Sequence, residues 1–100
     1  MAKLVSKTLS FPPSGSPDVT GYKLYYEPTP GPVTYNSTSI DLGTATTINL
    51  STILPVGING IYDIGVSAYD AAGNESDLSL SASVPLDLVA PLPPGVLTIQ

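Results

Sequence analysis

Proline and glycine punctuate this chain so regularly that no stretch free of both reaches twelve residues. Proline removes a backbone donor and clashes with the preceding helical turn, and glycine is entropically costly inside a helix, so a long amphipathic helix has nowhere to form. What fits between the breaks is a set of short extended segments. The fold class expected is all-β.

The segments read as strands because their apolar residues recur with period two, which puts alternate side chains on one face of a sheet. Leu9, Ser10 and Phe11 alternate before the breaker Pro12 to Pro17, and Tyr22, Leu24 and Tyr26 share a face in the next run. After a second breaker, Pro28 to Pro32, come a weaker run from Val33 to Asn36, the pair Ile40 and Leu42, and the β-branched stretch Thr46 to Ile53. Ile61 to Asp70 sets Tyr62, Ile64, Val66 and Ala68 against Asp63, Gly65, Ser67 and Tyr69, the longest alternation and the mark of a central strand. Beyond the turn Ala71 to Asn74, Leu78, Leu80, Ala82 and Val84 alternate with Ser79, Ser81 and Ser83. About seven strands at this spacing predict a two-sheet antiparallel β-sandwich. Parity places Leu9, Phe11, Tyr22, Leu24, Ile48, Leu50, Tyr62, Ile64, Val66 and Ala68 in its core.

A chain of 100 residues holds one domain of ordinary size. Residues 1–88 are assigned to the sandwich and 89–100 to a Pro-rich linker or C-terminal strand. Cys, His, Trp and Arg are all absent, which removes thiol nucleophiles, imidazole bases, Cys/His zinc sites and bidentate guanidinium clamps. The chain is therefore expected not to be an enzyme and to need no cofactor or metal. A net charge of −5 with only Lys3, Lys7 and Lys23 as cations gives no basic stripe for nucleic acid or an anionic membrane. No apolar run is long enough to insert into a bilayer, and the segment after Met1 lacks the apolar region and cleavage site of a secretory signal.

The order of strands and breakers resembles a fibronectin type III domain over roughly residues 7–86. Leu9-Ser10-Phe11-Pro12-Pro13 resembles that family's strand B and its following loop, and Gly21-Tyr22-Lys23-Leu24-Tyr25-Tyr26 its strand C. Leu50, Ile53 and Pro55 resemble the end of strand E, and the run from Tyr62 through Val66, Ala68, Tyr69, Asp70, Gly73 and Asn74 to Ser76 resembles strand F and the F–G turn. The resemblance implies strands A, B and E in one sheet and C′, C, F and G in the other. It also exposes a gap: strand A is missing at the front, or supplied by a C-terminal segment, because Pro91 to Gln100 looks like a linker followed by an opening A strand.

Two sets of residues are candidate interaction sites. Tyr25 and Tyr69 have outward parity on neighbouring strands, where they could pair across the strands to cover Gly65 or form an aromatic contact patch. Val96, Leu97 and Ile99 have the composition of a strand, expected to lie against strand B of another copy or a neighbouring domain. The acidic group Asp70, Asn74, Glu75 and Asp77 reads as turn chemistry around Gly73 rather than a calcium loop. The function expected is a non-catalytic structural or interaction module that makes an assembly contact in a virion or an extracellular array. The alternative is a spacer or carbohydrate-binding accessory domain of a secreted multidomain enzyme or adhesin. Partners admitted by this chemistry are protein, either self or a neighbouring subunit, and glycan; the locations favoured are a virion and the cell surface.

Overall fold

The structure, a computed structural model, describes residues 7–55, 57–89, 91–96, 98 and 99. Among the described residues, six strands lie in two antiparallel sheets. Thr8–Ser10 (β1) pairs with Thr47–Asn49 (β4), with Leu9 opposite Ile48. The larger sheet is built from Val19–Pro28 (β2), Thr38–Gly43 (β3), Asn59–Asp70 (β5) and Ser79–Asp87 (β6), in the order β3-β2-β5-β6. This is the expected all-β sandwich, with the longest strand, β5, at an interior position.

Period-two burial holds where it is tightest. Leu24, Leu50, Leu54, Ile58, Ile64, Leu86 and Leu88 form one buried cluster, and Leu9, Tyr26, Ile40, Leu42, Tyr62 and Val84 pack against it. Of the expected core, Tyr22, Leu24, Ile48, Leu50, Ile64 and Ala68 are buried, whereas Leu9, Phe11, Tyr62 and Val66 are half-buried. Phe11 sits edge-on to Tyr22 with ring centroids 5.0 Å apart. Lys7, whose parity matches inward Leu9, is exposed and begins the β1 pairing through its carbonyl, which accepts from the Leu50 N–H at 2.9 Å.

Three segments depart from the sequence reading. Residues 33–36 form no strand: Ser37 N–H donates to the Thr34 carbonyl at 3.0 Å, and Ser37 Oγ accepts from Thr34 N–H at 2.9 Å, closing a turn. The stretch from Thr46 to Ile53 stops being a strand at Asn49, whose side chain accepts from Ser51 N–H at 3.1 Å and caps one helical turn, Leu50–Ile53 (α1). The alternation from Leu78 to Val84 breaks at Ser83, where the register between β5 and β6 shifts and φ is 56°. This bulge flips the face, so Val84 and Leu86 reach the core while Leu80 stays on the outer surface, 66% exposed.

Beyond Leu88, whose N–H donates to the Ile58 carbonyl at 2.8 Å, no further strand occurs among the described residues. The chain continues as an exposed arm, and the molecule measures 67 × 26 × 18 Å.

Candidate functional site

The outer face of the larger sheet carries both tyrosines singled out from the sequence, and the structure keeps them apart. Tyr25 stands opposite Gly65 and Tyr69 opposite Gly21, so the two rings do not form a cross-strand pair. Tyr25 is also not a surface residue, being only 3% exposed. Outward parity named the correct face of the sheet but not what lies on it. The segment after β2, turned by Pro28, Pro30 and Pro32, folds back over that face. Val33 is buried near Gly65, and Tyr35 meets Tyr25 edge-on at 5.8 Å. Tyr35 is held there by its hydroxyl, which donates to the Ser76 carbonyl at 2.7 Å. Tyr25 is therefore corrected from candidate contact to the centre of a second, smaller packing layer.

Beneath that layer lies a polar cluster that residue parity did not reveal. Glu75, next to the turn that follows β5, points its carboxylate onto the sheet. Its Oε1 accepts from the Tyr25 hydroxyl at 2.5 Å and from Ser67 Oγ at 2.7 Å, while Lys23 Nζ lies 4.0 Å from Oε2. Ser67, 1% exposed, is thus a satisfied buried hydroxyl. These donors, Ser67 first and Tyr25 second, hold the Glu75 carboxyl below its ordinary range. Burial, with the Glu75 bond second, pushes the Tyr25 hydroxyl up to about 12.

Tyr69 remains half-exposed and is equally occupied. Its hydroxyl donates to Asp41, at 2.9 Å to Oδ1 and 3.1 Å to Oδ2, and Lys23 Nζ stands 5.6 Å from its ring centroid. Lys23 thus bridges the two tyrosine neighbourhoods that do not touch. In the turn, Asp70 Oδ1 accepts from Ala72 N–H at 3.0 Å and Asn74 N–H at 2.9 Å, and Oδ2 accepts from Asn74 Nδ2 at 3.1 Å. Its carboxylate is spent on closing the loop around Gly73, whose φ is 89°. Among the described residues, no three acidic groups gather as a metal site.

The second candidate set lies on the arm. Val96 and Ile99 are 98% and 93% exposed and belong to no strand in this chain; Leu97 falls outside the described residues. Leu92 joins them at 92%. Sequence reasoning missed a groove of about 280 Å³ at the end of the sandwich where the arm departs, lined by Lys7, Leu50, Leu54, Pro85, Leu86 and Leu88, with Asp87 at the same wall. Its signal was present, because Val84, Leu86 and Leu88 carry the period-two pattern past Pro85. Comparison of the chain with family models, curated proteins and solved structures finds no match.

Proposed function

We propose that this chain is a non-catalytic, fibronectin type III-like structural module that makes an assembly contact within a larger surface structure, a virion or an extracellular array. The observation that carries the reading is the arm, which holds three large apolar side chains, Leu92, Val96 and Ile99, more than nine-tenths exposed. Full burial of a side chain of this kind is worth roughly 1.5–3 kcal/mol, so an arm of this composition gains most where another surface covers it. The non-catalytic part of the reading rests on the residue types that the sequence lacks.

The spacer reading draws on a different feature, the stiffening of the arm by Pro91, Pro93 and Pro94. A glycan platform on Tyr25 loses its basis, since that ring lies under Val33 and Tyr35. Light scattering across a concentration series separates the two readings. The assembly reading expects the mass of the full chain to rise with concentration and that of a chain ending at Ala90 to stay monomeric. A full chain that is monomeric throughout, with a melting temperature unchanged by the truncation, would leave the spacer reading in its place.

A further inference from the structure

Among the described residues β1 pairs with β4 alone, and the register shows which backbone groups that pairing uses. Leu50 N–H donates to the Lys7 carbonyl and Phe11 N–H donates to the Thr46 carbonyl at 3.0 Å. In an antiparallel ladder, donors turn alternately to the two sides. Residues 7, 9 and 11 thus face β4, and the N–H and C=O groups of Thr8 and Ser10 face the opposite edge. Sandwiches ordinarily cover such an edge. The apolar groove lined by Leu50, Leu54, Leu86 and Leu88 lies at the Lys7 end of β1, and one of its walls belongs to β6, which among the described residues pairs with β5 alone.

We propose that this edge and groove are the acceptor for the arm of a second copy, whose residues 96–99 add to β1 as an extra strand. The proposal rests on the assembly reading above and gives it a partner and a docking site. The arm supplies what the acceptor lacks: residues Val96, Thr98 and Ile99 that belong to no strand in this chain, and apolar side chains at Val96, Leu97 and Ile99. In a strand, Leu97 and Ile99 share one face, which suits a groove on one side of the added segment.

Direction selects another copy over the chain's own arm. The groove brings Lys7, just before β1, beside Leu88, just after β6, so β1 begins at the end of the sandwich where β6 finishes. An arm turning back from there must reverse through Pro91, Pro93 and Pro94, which fix φ and offer no N–H, and would then run parallel to β1. The arm of a second copy enters antiparallel without that reversal, and antiparallel pairing is the slightly more stable of the two. Donor and acceptor are different surfaces of one chain, so the contact repeats head to tail into a filament or ring.

The test uses two full-length variants. Val96→Asp/Ile99→Asp puts a charge on each face of the arm and leaves the acceptor intact. Ser10→Pro removes an edge-facing donor at a position where proline is tolerated in an edge strand, and leaves the arm intact. Light scattering is expected to show each variant as a monomer, their equimolar mixture as a dimer of twice the mass, and the parent chain as larger species growing with concentration. Melting curves verify that Ser10→Pro is folded, and Thr8→Pro repeats the test at the other edge-facing donor. A folded Ser10→Pro or Thr8→Pro that assembles like the parent overturns the acceptor site while the assembly reading stands, and so does a mixture that stays monomeric. A parent that is monomeric at every concentration overturns both.

Discussion

Gly21 leaves room for Tyr69. A Cβ there would collide with the tyrosine ring and hydroxyl and lie 3.0 Å from the Gly43 carbonyl, so a side chain at position 21 displaces Tyr69 from Asp41. Gly21→Ala is expected to cost about 1–3 kcal/mol by overpacking, whereas Gly15→Ala, which meets nothing within 4 Å, should leave the melting temperature nearly unchanged. The Tyr25–Glu75 pair fixes the pH window at the same scale. Hydroxyl donors depress the Glu75 carboxyl from 4.5, so its contribution to stability is present above that value and is lost as pH falls through the lower folded value. The Tyr25 hydroxyl is raised from 10.0 to about 12, so its contribution is complete below 10.0 and is lost as pH rises toward 12. Urea midpoints should fall on both sides of a neutral plateau. Glu75→Gln is expected to weaken the acid limb and Tyr25→Phe the alkaline one. Limbs unchanged in these variants would show that the cluster does not set the window. None of this cluster was legible in the sequence, because alternation assigns Tyr25 and Ser67 to a face and is silent on the loop that covers it.

At the scale of elements, the strands whose neighbours agree with their period were legible, and those ended or re-aimed by one residue were not. Tyr22, Leu24, Ile64 and Ala68 are buried as their alternation requires. The strand expected through Ile53 ends early because Asn49 offers a capping oxygen to Ser51, a local bond that competes with the ladder. The bulge at Ser83 is invisible in the pattern Leu78 to Val84, since one extra residue inverts every face beyond it. Asp63 locks it, with Oδ1 accepting from Ser83 N–H at 2.9 Å and from Thr29 Oγ1 at 2.8 Å. Ser83 holds a left-handed φ of 56° without being glycine. Ser83→Gly keeps the backbone donor and should stabilise the fold by up to about 1 kcal/mol, while Ser83→Val should destabilise it by about 1–2 kcal/mol. Thermal melts read both, and a melting temperature raised by valine would contradict the bulge.

On the scale of the whole molecule, a four-stranded sheet is packed under a two-stranded one whose strands are three residues each. Among the described residues β1 therefore has one unpaired edge, and past Leu88 the chain continues as an exposed arm. The strand-like composition after Pro94 was legible in the sequence. The alternation of Val84, Leu86 and Leu88 marked one wall of the groove, whereas the wall made by Leu50 and Leu54 depends on α1, which the pattern did not show. The central claim is that arm and edge complete each other between copies. The most direct measurement is amide hydrogen exchange of the full chain at low and high concentration. Protection of Thr8 and Ser10, together with one of the adjacent arm amides Thr98 and Ile99, is expected to appear at high concentration and vanish on dilution. Exchange of these amides at unstructured-peptide rates at every concentration would contradict the claim.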